Sequence, residues 1–284
     1  MPTYFPQLGS GIMTQRPYRF SQSFNSALSD TPAGRPYGFV KRGSGLTYFP
    51  TGPLGKWEIY FTSVSDAEIQ TLRTFFASMQ GRVGEFIFLA PEGNLIPNSE
   101  NFSDASWSLT GVTVGSAVTD PFGGNRATTL TSTLSNASLT ATVVPAGFVP
   151  NFWFCLSFYA KAHNAGQNLA LGFQDAAHSN LAQAVFALPQ NQWTRIYCPF
   201  QMPGGNNTVL NVVIGGNGTW ASTAIDIFGV HCCPTGGAGD YLKSPVHFGL
   251  HNHVRFDVDM LEIRTVGPNE NAVSFPICEY MVNS

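Results

Sequence analysis

Charge is scarce in this chain: Asp, Glu, Lys and Arg make up 11% of its 284 residues, against about 25% in a typical soluble domain. A freely diffusing protein keeps itself apart through surface charge, so the shortage points to a component of an assembly, covered by its neighbours. The net charge is −3 and no block of basic residues occurs, which argues against nucleic acid as the partner. There is no run of about 18 apolar residues, so no helix is expected to span a membrane. The opening MPTYFPQLGSG lacks a basic segment followed by an apolar one, and no secretory signal is expected. The cysteines are Cys155, Cys198, Cys232, Cys233 and Cys278; an odd number without framework spacing fits a reducing compartment. Also missing are G-x-S-x-G, HExxH, a P-loop and C-x-x-C, so no enzyme is expected.

Helical periodicity is nearly absent too. The exception, SDAEIQTLRTFFASMQGR, predicts one helix over about 65–80: Ser65 and Glu68 have capping-box spacing, and Ile69, Leu72, Phe75, Phe76 and Met79 form one apolar stripe. KWEIYFTSV before it and EFIFLA after it alternate as strands. Residues 1–50 are rich in Pro, Gly, Ser and Arg with weak periodicity, the pattern of an extended arm that clasps a partner.

What is abundant after Asn94 is the short alternating strand. FWFCLSFYAK, NLALGF, LAQAVFAL, WTRIYCPF, TVLNVVIGG and AIDIFGVHC follow one another, divided by Gly/Asn turns, which predicts an antiparallel sandwich or jelly roll without helices. Residues 94–240 hold three basic residues, Arg126, Lys161 and Arg195. After PTGGAGD the charged style of the first third returns in HVRFDVDMLEIRTV, one long strand or a bent pair, and SFPICEYMV. The fold class expected is therefore mainly β. One domain comprises 1–93 and 241–284, and 94–240 is a jelly-roll sandwich inserted into it.

Residues 57–91, through Trp57, Glu68, Leu72, Phe75, Phe76, Gly81, Phe86, Phe88 and Pro91, resemble the core of minor tail and distal tail proteins of long-tailed bacteriophages. A final strand like VRFDVDMLEIR closes the barrel in such proteins. NLIPNSENFSDASW, LSFYAKA, NQWTRI, IDIFGV and GDYLKS, in that order, resemble a carbohydrate-binding-type jelly roll of phage tail and fibre proteins. The N-terminal fifty residues match no such pattern. The resemblance implies a hexameric ring hub at the virion tail tip, assembled in the bacterial cytoplasm. Its partners would be further copies of itself, the tail tube protein, tip or baseplate proteins and, through the outward sandwich, host surface glycan. The alternative it leaves open is a host-glycan-binding minor tail protein without a hub role. A structural calcium in related jelly rolls makes Glu100 and Asp226 candidate ligands; no other cofactor is expected.

Candidate residues follow from chemistry. Sugar sites pair aromatic faces with amides, because the ring packs on C–H groups while polar side chains take the hydroxyls. Trp153 and Tyr159 lie opposite the Phe/Leu stripe of their strand and Trp220 lies in NGTWAS, so these three are the glycan candidates. Trp107 and Trp193 are expected to pack under loops. For subunit contacts, Arg16, Arg19, Arg35, Lys41 and Arg42 of the arm complement Asp257, Asp259 and Glu262 of the later strands. His247, His251 and His253 in HFGLHNH read as interface histidines rather than a metal set.

Overall fold

In the computed structural model of the chain, the residues described are 4–8, 16–17, 38–42, 45–49, 55–91, 93–144, 152–203, 209–216, 218, 220, 223–244 and 249–279, with backbone alone for 16–17, 38–42, 45–49, 55–56, 62 and 144. The chain divides into two compact units, Leu89–Leu250 and Pro2–Phe88 with His251–Ser284. The fold is mainly β, with one helix among the described residues.

The discontinuous unit begins with β1 (Arg16–Pro17), the hairpin β2 (Gly38–Arg42) and β3 (Gly45–Phe49), β4 (Gly55–Val64), α1 (Asp66–Ser78) and β5 (Phe86–Leu89). The contiguous unit contains β6 (Trp107–Thr110), β7 (Val112–Val118), β8 (Ala127–Ser132), β9 (Ser138–Val144), β10 (Trp153–Ala162), β11 (Asn168–Gln174), β12 (Asn180–Ala187), β13 (Thr194–Gln201), β14 (Leu210–Gly215) and β15 (Ala224–Cys233). The chain then returns through β16 (Leu250–Phe256), β17 (Glu262–Gly267) and β18 (Glu270–Glu279).

In the discontinuous unit α1 starts where the sequence predicts. Ser65 N donates to Glu68 Oε2 at 2.8 Å and Ser65 Oγ accepts from Glu68 N at 3.3 Å, a complete capping box. The sheet runs β1-β4-β18-β16-β5, with β17 also on β18. The stretch 253–266 is thus a bent pair: β16 lies against Ile277–Glu279 and β17 against Glu270–Ser274 of the same strand. Phenylalanines fill the space under α1. Phe75, Phe76, Phe86 and Phe275 all approach Phe256 within 6 Å, at 5.9, 4.7, 5.1 and 5.4 Å.

The start of the expected arm is part of this core. Phe5 is buried, its N–H donates to Ile87 O at 2.8 Å, and its ring touches Phe75, Phe86, Phe88, Phe256 and Phe275. Arg16 and Pro17 pair antiparallel with Glu58 and Trp57 of the same chain. Lys41 and Arg42 lie on the β2–β3 hairpin. The arm, expected to be irregular, has regular structure at these points. Aromatic burial and strand pairing within the chain use part of it.

The contiguous unit is a sandwich of two antiparallel five-stranded sheets, β13-β10-β15-β8-β7 and β12-β11-β14-β9-β6. Strand alternation builds its core. Phe154, Leu156, Phe158, Ala160 and Ala162 of β10 and Leu169, Leu171 and Phe173 of β11 are all buried. Phe173 of one sheet stacks on Phe200 of the other, ring centres 5.0 Å apart.

The two ends of the sandwich are fastened together. Asn94 is fully buried; its amide donates to Val230 O at 2.9 Å and Leu242 O at 2.7 Å, and its oxygen accepts from the Ile96 and Cys232 N–H groups at 3.1 Å each. Ser99 N donates to Ser244 O at 3.1 Å and Ser244 N to Ser99 Oγ at 3.0 Å. Gly249, at φ +98°, sits so close to Gly93 that a Cβ there would stand 2.6 Å from the Gly93 Cα. Asn94→Ala should therefore lower the unfolding free energy of this unit by about 2–4 kcal/mol, because the side chain leaves buried backbone groups unpaired. Urea denaturation followed by tryptophan fluorescence measures this; a loss below about 1 kcal/mol would mean that water substitutes for the amide.

Candidate ligand-binding face

β10 carries two kinds of side chain on its two faces. Its even-numbered residues fill the core, and Trp153, Cys155, Ser157, Tyr159 and Lys161 face outward. Across the ladder, Trp153 lies level with Gln201, Cys155 with Pro199, Ser157 with Tyr197 and Tyr159 with Arg195. β13 is the edge strand of this sheet. Its core side is Ile196, Cys198 and Phe200, all buried, so Arg195, Tyr197, Pro199 and Gln201 continue the outer face.

Half of that face is covered. Residues 234–244 run back over β10 and β15. The Cys233 Sγ lies 3.2 Å from Gly237 O, the Arg195 Nη2 donates to Gly239 O, and a Cβ on Gly239 would meet the His231 ring at 3.4 Å. Tyr241 packs edge-on against Phe228, 5.2 Å away. The crossing is close: a Cβ on Gly236 or Gly239 would be in ordinary contact with Trp153 or His231, at 3.5 and 3.4 Å. Cys155, Ser157, His231 and Cys233 are buried as a result, and all five cysteines are free thiols.

The β13 side stays open. Trp153 is 37% exposed, with its ring against Gly236, and Tyr197 is 52% exposed. They stand four strand positions apart, about 13 Å along the sheet. Arg195 lies between Tyr197 and Trp193, with its guanidinium over the Tyr159 ring at 5.6 Å, and Lys161 Nζ lies 5.0 Å over the Trp193 ring. Tyr159 itself is half-buried among Phe122, Phe228 and Arg195. Trp153 and Tyr159 are thus on one face, as their alternation predicts, with Trp153 the more open. Trp220 is a correction: it is fully buried, and its indole N–H donates to Thr223 O at 3.1 Å, so it presents no face to a ligand. Tyr197 and Arg195 were missed, although WTRIYCPF alternates as plainly as β10.

The calcium expectation is also corrected. Every oxygen of the two carboxylates already has protein donors, and Ca²⁺ needs six or more oxygens. Glu100 accepts from Tyr241 Oη at 2.8 Å and Lys243 Nζ at 2.7 Å, with Arg126 at 3.5 Å. Together with Asn98, Asn101, Asn125, Thr128 and Ser244 these cations line a pocket of about 320 Å³. Asp226 binds Lys161 at 2.8 Å, His163 at 2.8 Å and Thr129 at 2.6 Å. Burial pushes the Asp226 carboxyl up, but these hydrogen bonds outweigh it and hold it below its ordinary value. Among the described residues no group of His, Cys, Asp and Glu is arranged to hold a metal.

The expected interface acids are partly occupied within the chain. Arg82 pairs with Asp257 at 3.7 Å and Asp259 at 3.6 Å, which leaves them less charge to offer a neighbouring arm. Glu262 is exposed on β17. Arg19, Arg35 and His247 lie outside the described residues. His251 and His253 bind different carboxylates, Glu279 at 3.0 Å and Glu85 at 3.1 Å.

No family model and no curated protein matches the chain. Solved structures do. The enzymatically active domain of bacteriophage CBA120 tailspike protein 4 is 23% identical, over 51% of this chain and 22% of that one, with a TM-score of 0.36; the chain therefore spans about a fifth of it. The C-terminal family 22 carbohydrate binding module of Clostridium thermocellum Xyn10B is 15% identical, over 52% of this chain and 98% of that one, with a TM-score of 0.40. A family 16 carbohydrate binding module is 16% identical, over 49% and 99%, with a TM-score of 0.37.

The covered half of the face makes the sandwich acid-sensitive. His231 is fully buried, with Nε2 3.2 Å from Gly93 O and Nδ1 without a partner. Burial pushes its pKa down from 6.5 to about 4, against the pull of the Gly93 carbonyl and with help from Arg195. The folded state thus binds this proton less readily than the unfolded chain. The contribution is present above pH 6.5 and is lost as pH falls toward 4. Thermal melting between pH 7.5 and 4.5 should show a falling midpoint on this account, and His231→Gln should flatten that fall; an unchanged slope in the variant would remove His231 as the cause.

Proposed function

We propose that the sandwich unit binds glycan on the β10–β13 face, as part of a phage tail protein that contacts the host surface. The observation that carries this is the pair Trp153 and Tyr197. Their rings are 37% and 52% exposed on the outer face, beside the stretch that residues 234–244 cover. Aromatic faces stack on sugar C–H groups, and the neighbouring Gln201 and Arg195 supply hydrogen bonds to hydroxyls. A spacing of about 13 Å suits a chain of sugars better than a single ring.

Binding rather than cleavage is the reading, because glycoside hydrolysis uses a pair of carboxyl groups about 5–9.5 Å apart with one held protonated. Asp226, on the neighbouring strand β15, is held ionised by Lys161 and His163. Asp257 and Asp259 are tied to Arg82. A glycan array followed by calorimetry on the full chain tests the proposal. Trp153→Ala and Tyr197→Ala should each weaken binding by about tenfold or more with the unfolding midpoint unchanged. Binding that survives both substitutions would place the site elsewhere.

A second reading, the ring hub, has support in the other unit. Val83, Met260 and Val266 are apolar and 68%, 70% and 57% exposed, the kind of surface that a neighbouring subunit covers. Light scattering with native mass spectrometry should then find an oligomer, broken by Met260→Asp. A chain that is monomeric at every concentration would leave only the glycan-binding role.

A further inference from the structure

We propose that the β10–β13 face selects acidic saccharides, and that Arg195 is the residue that reads their charge; this deepens the glycan-binding reading and rests on it. The argument begins with a census of cations. Only Arg126, Lys161 and Arg195 lie between residues 94 and 240. Arg126 is matched by Asp120 at 3.3 Å and Glu100 at 3.5 Å, and Lys161 by Asp226 at 2.8 Å. Arg195 has no carboxylate within ion-pair distance among the described residues. Asp240, next in sequence to the Gly239 that Arg195 binds, makes no ion pair with it.

The guanidinium is nonetheless held in place. Its Nη2 donates to Ser157 Oγ at 3.1 Å and to the Gly239 carbonyl, and its plane rests over Tyr159. Its Nε is shut off from solvent without a hydrogen-bond partner. Nη1 makes no hydrogen bond to a described residue and remains open. Removing a charged group from water without a counter-charge is unfavourable, so the partly buried guanidinium is an incomplete ion pair. Its fixed orientation means little side-chain entropy is lost when an anion completes it.

The position of Arg195 says what kind of anion. It lies two residues from Tyr197 on the same face of β13, about 7 Å along the strand. A sugar ring stacked on Tyr197 therefore places a ring carboxylate or a phosphate substituent within reach of Nη1, where a charge-assisted hydrogen bond forms. A neutral sugar offers only a hydroxyl there and leaves the cation uncompensated.

The test uses the full chain and paired probes that differ only at the carboxyl: oligogalacturonate and the same oligomer with its carboxyls methyl-esterified, with sialylated and phosphorylated oligosaccharides alongside. The acidic member should bind about tenfold more tightly at low salt, and the difference should close as salt is added. Arg195→Gln should abolish the preference, so that acid and ester bind with equal affinity. Should that variant fold poorly, Arg195→Lys keeps the charge and should retain part of the preference. Equal affinity for acid and ester, or binding of neutral glycans alone, overturns the proposal and leaves the glycan reading standing. A preference that persists in Arg195→Gln overturns the assignment to Arg195. Failure of every glycan to bind overturns both.

Discussion

The sandwich depends on one buried amide. Asn94 stands where the chain enters the contiguous unit, and its four hydrogen bonds reach the neighbouring Ile96, the end of β15 and the outgoing chain at Leu242. An aspartate lacks the two donors, a leucine lacks everything, and a lysine could not be buried there; only an amide both gives and accepts at this point. With it in place the incoming and outgoing strands lie side by side, and Gly93 and Gly249 can touch backbone to backbone. A unit whose ends meet leaves the chain on either side nearly as it would be without it, which is the geometry that insertion requires.

That fastening has a consequence for the outer face. Because Leu242, Lys243 and Ser244 are fixed beside residues 94–100, the glycine-rich stretch before them must cross the sheet to reach its anchor. It covers the thiols and His231 on β10 and β15 and stops short of β13. The open aromatic side chains are those the crossing leaves uncovered, and Arg195 is gripped by the crossing chain through Gly239. Structure and candidate binding surface thus come from the same chain path.

Charge scarcity looks different in three dimensions. The few ionic groups of the sandwich are gathered into small clusters, Glu100 with Arg126, Tyr241 and Lys243, and Asp226 with Lys161, His163 and Thr129. Within such clusters a carboxylate is satisfied by fixed donors and has little need of a metal. The odd cation, Arg195, is conspicuous because the others are so fully matched.

Local pattern was enough for much of this molecule. Alternation in FWFCLSFYAK settles which side chains of β10 face the core, since successive side chains of a strand point to opposite sides. The capping box and apolar stripe settle α1, because both act within a few residues. What no local pattern could decide is what comes to lie on top of a face. Phe5 has no periodic neighbours to announce it, yet it joins a cluster built from residues as distant as Phe275. PTGGAGD reads as a joint, yet it packs, held to the sheet through its backbone carbonyls by Cys233 and Arg195. NGTWAS reads as an exposed tip, yet Trp220 is enclosed. Burial is a property of the whole chain path: a residue's own sequence determines which way it points, and only the tertiary structure determines what it meets there.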